Sequence, residues 1–379
     1  MRDDKQHILF VATEYDAPGM RPYAQRIINA MWQAGDRVLI VSRYGADNEA
    51  FGHIPPQDIT WIDYPQGLLS KGLFRFWPTR VMRAIDRLIE HEGIQLIYSL
   101  TEELILAGHI SRLQQLVPVL YTVHDARFHD YSTNSPVRWL KNQLLLARPQ
   151  RQMMERTVNQ LTNSREQQEL LEERYPSHQV HYAPFPTLVS TAMAQGTTRV
   201  KELKEVGNGY ILFFGTLHLY KGVHLLYDAY LSHPELHGHQ LVIAGTSDIY
   251  FDLRRDDTDA AVTVINRYID DSEIKDLFSR AAVVVYPYIS ATQSGVISIA
   301  SYFGKPMVLS DLPFFRQTCD GHGGVQFFPS GDPEALAAAL ERALSHPSSS
   351  AAIYQDVYSS QAMQSALDQV IASTLNTRS

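Results

Sequence analysis

Residues 210–230 read YILFFGTLHLYKGVHLLYDAY, and their order decides the fold. A continuous apolar run ends at Gly215, a short loop carries Lys221 and Gly222, and a helical pattern follows. An apolar run without alternation predicts a strand buried on both faces, as in parallel sheets covered by helices. The unit recurs downstream, with strands predicted at 240–245, 262–266, 283–287, 306–310 and 324–328 and helices at 272–281, 294–303 and 333–345. Upstream the same reading places strands at 7–13, 37–43, 59–64, 95–100, 118–124, 160–164 and 180–183. Helices fall at 22–34, 80–92, 102–116, 136–157 and 165–174. Residues 188–208 (LVSTAMAQGTTRVKELKEVGN) are polar and weakly periodic and read as a linker. The expected fold class is α/β, with two doubly wound Rossmann-like domains at 1–187 and 209–360. Two such halves facing each other would leave a cleft at the carboxyl ends of both strand sets, where these folds bind ligands.

Composition narrows the function. The chain of 379 residues is 45% hydrophobic and 20% charged, which excludes disorder. Its single cysteine, Cys319, excludes an internal disulfide and a zinc–cysteine site. The opening MRDDKQHILFVATEY has too short an apolar run for a signal peptide, and no stretch suits a spanning helix, so a cytoplasmic protein is expected. The net charge of −8 is uneven: residues 1–190 are close to neutral and the remainder carries nearly all of it. No basic field for nucleic acid exists. Bases do cluster at 71–87 (KGLFRFWPTRVMRAIDR) and 136–156 (PVRWLKNQLLLARPQRQMMER), interleaved with aromatic residues. These segments read either as an anionic membrane surface contact or as packed helices with solvated arginines.

The second half carries the chemistry. Lys221 follows a strand-end glycine loop, where an ammonium can meet phosphate as a point charge. Gly245 ends the strand of LVIAGTSD. Thr292, Gln293, Ser294, Gly295 and Val296 open the next predicted helix, whose free N–H groups would favour an anion. Each feature alone also reads as a solvated helix start or cap. In the first half, His124 and Asp125 end a buried strand and read either as site residues or as a turn cap. Gly19 and Arg21 lie in the first strand-to-helix loop, and Glu102, followed by Glu103, comes after the strand 95–100. Each could reach an acceptor, while Arg21 also reads as solvated and the glutamates as complements of a helix dipole. His129 is a weaker candidate of the same kind as His124. The sequence holds no HExxH, GxSxG or P-loop pattern, so no metal or other cofactor is expected.

Taken in order, the segments of 210–344 resemble the nucleotide-sugar-binding domain of retaining GT-B glycosyltransferases of the family-4, group 1 type. VHDARFH (123–129) and LTNSREQQELLEERY (161–175) are compatible with the acceptor-binding domain of that family. The resemblance implies transfer of a sugar from a nucleotide-diphosphate donor to a hydroxyl of a glycan or lipid-linked acceptor. The setting would be bacterial polysaccharide, O-antigen or lipid-linked glycan assembly, in the cytoplasm or peripheral on the inner membrane face. It implies catalytic roles for His124 and Lys221 and donor contacts from Gly215, Thr216, Lys221, Gly222, Gly245 and residues 292–296. Acceptor contacts would come from Gly19, Arg21, Glu102 and Asp125, and residues 361–379 would return as a helix to the N-terminal domain. The departing phosphate would itself serve as base, because no carboxylate is placed as a nucleophile.

Three positions depart from the family pattern. Thr216 stands where an arginine is usual, and Ala291 and Ile299 replace two glutamates eight residues apart. Three explanations are open: Gln293, Ser294 and backbone amides take over the contacts, the donor differs, or catalysis is lost. Retention of Lys221 and the glycines favours a working enzyme. The rival is a non-catalytic nucleotide- or sugar-binding subunit that supports a partner enzyme.

Overall fold

A computed structural model describes residues 6–17, 19–126, 142–246, 248–251, 261–291 and 294–376, apart from the side chains of Leu68 and Leu69. The chain divides into two compact units, Met1–Pro186 with Met363–Ser379, and Thr187–Ala362.

Unit 1 is built on a seven-stranded sheet in the order β3-β2-β1-β4-β5-β6-β7. Its strands are β1 His7–Ala12, β2 Arg37–Ser42, β3 Ile59–Asp63, β4 Ile94–Ser99, β5 Val119–Thr122, β6 Asn159–Thr162 and β7 Gln179–Tyr182, and every pairing is parallel. The unalternating apolar runs are explained by burial on both faces. Ile8, Phe10 and Ala12 belong to one core, closed by Met363, Leu367, Val370 and Ile371 of the helix Ser360–Asn376. Leu9 and Val11 point into the other, against Val81, Met82 and Ile85 of the helix Thr79–His91.

Unit 2 holds a six-stranded parallel sheet in the order β10-β9-β8-β11-β12-β13. Its strands are β8 Tyr210–Phe214, β9 Leu241–Gly245, β10 Val262–Asn266, β11 Ala281–Tyr286, β12 Met307–Ser310 and β13 Val325–Phe328. In both sheets the first strand lies beside the fourth, so successive connections leave from that point in opposite directions. The gap between their carboxyl ends is where this topology leaves room for a ligand.

Two segments differ from the sequence reading, and in a third the helix expected at 80–92 is joined by another before it. Residues 188–208 are no free linker. Val200, Leu203 and Val206 are in the core of unit 2, and Arg267 clamps Glu202 at 2.8 Å and Glu273 at 2.7 Å. The helix expected at 102–116 forms only over Ile110–Leu116. The basic stretch 71–87 is broken at Pro78 into the helices Leu68–Phe76 and Thr79–His91, because Pro supplies no N–H to continue a turn.

Candidate active site

In unit 2 the loops after β8, β9 and β11 are fastened to one another by glycines. Gly215, at φ +144°, donates its N–H to the Ala244 carbonyl at 3.0 Å. Beside it Gly245 takes φ +156°, and a Cβ there would stand 1.8 Å from the Gly215 oxygen. Gly222, at φ +64°, backs onto the Pro287 carbonyl, which a Cβ would meet at 1.9 Å. The Ile289 N–H donates to the Tyr220 carbonyl at 2.7 Å, closing the arrangement.

This packing carries Lys221 inward. The residue is only 8% exposed, and its Nζ lies 3.0 Å from where a Cβ on Gly215 would stand. Glycine at 215 therefore makes room for the ammonium. The rings of Tyr220 and Tyr288 lie 5.9 and 5.6 Å from Nζ. Among the described residues the ammonium has neither a hydrogen-bond acceptor nor a carboxylate. Burial lowers its pKa from 10.5 to about 8. Next to it, the buried Tyr288 hydroxyl faces Ser294 without a well-formed hydrogen bond. A buried cation without an acceptor among the described residues, and a buried phenol with only a poorly formed contact to Ser294, cost stability unless a ligand answers them. The ligand that fits is anionic.

The helix after β11 is shorter than expected, Val296–Tyr302, with Gly295 as N-cap and no side-chain cap. Gly295 is a packing position: a Cβ would stand 2.5 Å from the Leu188 side chain. The Leu188 N–H donates to Ser298 Oγ at 2.9 Å, and Ser298 Oγ donates to the Gly295 carbonyl at 2.6 Å. Val296 is buried, and its carbonyl accepts from Tyr286. Gly295 and the side chain of Val296 thus serve packing, which leaves to their backbone N–H groups the donor contact expected of residues 294–296, and Thr292 and Gln293 lie outside the described residues.

In unit 1 three acids gather at the ends of β1 and β4. Glu103 is buried at φ +50°, a left-handed conformation seldom taken by residues with a side chain. Its carboxylate accepts from the Thr13 N–H at 2.9 Å, the Thr101 N–H at 3.1 Å and the Thr101 hydroxyl at 2.5 Å. Burial still raises its pKa to about 7. Glu14 is buried as well, with its pKa raised by desolvation although Arg75 lies 3.3 Å away. Glu102 is half-buried, and its charge adds to the rise at Glu14. The dipole reading of Glu102 falls, because the helix begins only at Ile110.

Arg21 is committed elsewhere. It pairs with Asp16 at 2.5 Å and lies over the rings of Tyr15 and Tyr44. Asp16 also accepts the Arg43 N–H at 2.6 Å, so the loop holds its own arginine in place of a ligand. Gly19 serves the backbone, starting the helix Met20–Met31 at φ +79°. His124 is half-buried at the end of β5, with Nε2 2.8 Å from the Leu100 carbonyl and its ring edge-on to Tyr23. Desolvation lowers its pKa, so the imidazole is neutral at pH 7. The carbonyl selects the Nε2–H tautomer, which makes Nδ1 an acceptor. The one N–H of the neutral imidazole is thus spent on Leu100, so the catalytic role expected of His124 cannot be that of a hydrogen-bond donor. Asp125 beside it is half-buried, and His129 lies outside the described residues.

Two family models match the chain: "Glycosyl transferases group 1" over residues 208–346 and "Glycosyl transferase 4-like domain" over residues 18–186. The chain is a group 1 glycosyltransferase. Sucrose-phosphate synthase from Thermosynechococcus elongatus is similar at 18% identity and TM-score 0.65, covering 98% of this chain and 100% of its own. Anabaena HepE in complex with UDP is similar at 14% identity and TM-score 0.63, covering 97% and 100%. The trehalose-phosphate synthase (UDP-forming) of Burkholderia vietnamiensis follows at 13% and 0.58, covering 98% and 100%. No curated protein matches by sequence. These likenesses carry the fold, which is GT-B.

Within this glycosyltransferase the departures from the family pattern acquire a structural setting. Ile299 is 1% exposed and part of the unit 2 core, so apolar packing occupies the place expected of a carboxylate. Ala291 is half-buried against the same core, and Thr216 is half-buried beyond β8. Sequence reasoning missed Glu14, Arg75 and Tyr288. An acid directly after a buried strand (FVATE) was the available signal for Glu14. Arg75 and Tyr288 lie on a helix and a strand end that look ordinary by composition, and only their unusual surroundings single them out.

Proposed function

We propose that this glycosyltransferase takes a sugar from a nucleotide-diphosphate donor, held by unit 2, and transfers it with retention to a hydroxyl of a glycan or lipid-linked acceptor held by unit 1. The observation that carries the reading is Lys221, a buried ammonium without a counter-ion among the described residues, 5.6 Å from the ring of the buried Tyr288. Anabaena HepE, of the same fold, is seen with UDP and with UDP-glucose, which supports the choice of donor class. As the bond to the diphosphate lengthens, negative charge grows on the leaving oxygens, and Lys221 answers it without reorganising. The compensating positive charge comes from the lysine rather than from a metal. The leaving phosphate takes the proton of the attacking hydroxyl. His124 is assigned to the reacting sugar, and Glu14 and Glu102 to the acceptor hydroxyls.

The exposed Arg80, Arg83 and Arg87 of the helix Thr79–His91 support a peripheral station on the anionic cytoplasmic face of a membrane, in polysaccharide, O-antigen or lipid-linked glycan assembly. No helix among the described residues is long and apolar enough to cross a membrane. The test is a thermal-shift and calorimetric screen of nucleoside diphosphates and their sugars. One nucleotide should raise the melting temperature by mass action, and that rise should vanish in Lys221→Met. A flat response to every nucleotide overturns the donor assignment.

A further inference from the structure

Unit 1 carries a basic, apolar hollow that the donor chemistry does not use. One cavity of 290 Å³ is lined by Arg75, Phe76, Leu104, Leu144, Leu145 and Arg148. A second, of 320 Å³, shares Arg75 and Leu145 with it and adds Lys71 and Leu146. Around the hollow, large apolar side chains stand in water: Leu73 at 60% exposure, Phe76 at 56% and Trp77 at 66%. Apolar side chains gathered so closely mark a contact surface rather than ordinary surface.

The charges say what kind of contact. Arg75 is anchored, donating to the Leu145 carbonyl at 2.5 Å and reaching Glu14 at 3.3 Å. Lys71 and Arg148 have no ion pair or hydrogen bond among the described residues. Leucines and an aromatic ring favour hydrocarbon. An unpaired guanidinium and ammonium favour phosphate. A sugar alone satisfies neither, and a soluble phosphate leaves the apolar wall wet. Each cavity sits near the lower end of the ~300–1,000 Å³ usual for ligand pockets, room for a head group and the first stretch of a chain. Arg75 links the hollow to Glu14, at the end of β1 where the acids gather.

We infer that this hollow holds the phosphate and proximal chain of an amphiphilic acceptor, an isoprenyl- or alkyl-phosphate-linked sugar. The inference rests on the transferase reading above and narrows its acceptor to one chemical class. The remainder of the hydrocarbon stays outside, against Leu73, Phe76 and Trp77. The sugar end is directed toward Glu14 and Glu102.

The test titrates the full chain by calorimetry with farnesyl phosphate, farnesol, inorganic phosphate and, separately, UDP. Farnesyl phosphate should bind saturably with one site, and farnesol and inorganic phosphate at least tenfold more weakly. The double variant Lys71→Gln/Arg148→Gln should lose at least tenfold toward farnesyl phosphate and keep its affinity for UDP. Leu144→Gln, a change at an exposed position, should weaken farnesyl phosphate and leave inorganic phosphate as it was. Farnesol binding as tightly as its phosphate overturns the inference. So does an unchanged double variant, or association with anionic vesicles in place of the single amphiphile. UDP and farnesyl phosphate are titrated apart, so failure of the donor reading and failure of this one give different results.

Discussion

Lys221→Met separates a catalytic lysine from a structural one, because the two roles move stability in opposite directions. Burial lowers the Lys221 pKa from 10.5 to about 8. At ~1.4 kcal/mol per unit, that shift corresponds to a destabilisation of about 3 kcal/mol by the charged form in the free protein. The native chain releases its proton first, so between about pH 8 and 10.5 the unfolded chain binds more protons. Stability should therefore rise with pH across that window. Methionine keeps the length of the side chain and removes the charge. At pH 7 the free variant should gain up to about 3 kcal/mol, or roughly 6–12 °C in melting temperature for a domain of this size. Transfer, followed as release of the nucleoside diphosphate, should fall by about 100-fold or more. In the unaltered enzyme kcat/KM should decline above about pH 8 as free Lys221 deprotonates. A variant that loses stability while transfer stays within about tenfold refutes the reasoning, since the lysine would then be holding the fold.

Gly245→Ala should destabilise unit 2 by about 1–3 kcal/mol, since the Cβ would collide with the Gly215 carbonyl; unchanged denaturant midpoints would contradict the packing of the two strand ends. Glu103, at about 7 in the fold and 4.5 as its ordinary value, favours the native state when protonated. Stability should then be greatest below about pH 4.5 on this group's account and be lost as pH rises through 7, by about 3 kcal/mol in all. Glu14 shifts in the same direction. Urea titrations of the unaltered chain and of Glu103→Gln should show the slope and its reduction, and parallel curves would remove Glu103 as the source. Replacing Arg80, Arg83 and Arg87 by Gln should weaken sedimentation with anionic vesicles, and equal binding would make them solvated arginines of a packed helix.

The order of the apolar runs was enough to reveal two α/β halves, and to point to Lys221 with the glycines around it. Strand and helix lengths, turn residues and a cation after a strand-end glycine are local features, so they survive in one dimension. Residues 188–208 show where that stops: low periodicity read as a linker, while Val200, Leu203 and Val206 fill space in unit 2 that only the folded sheet creates. The reach of Asp16 to Arg21 is not legible in sequence, nor is the contact of His124 with the Leu100 carbonyl, which lies just past the end of β4. The clearest case is Glu14, Thr101 and Glu103. Glu14 is far in sequence from Thr101 and Glu103, and they meet because β1 and β4 are neighbours in the sheet. Local pattern determines which elements form. Which side chains lose water, and which partners compensate them, depends on pairing between distant segments, and there the tertiary structure alone decided the chemistry.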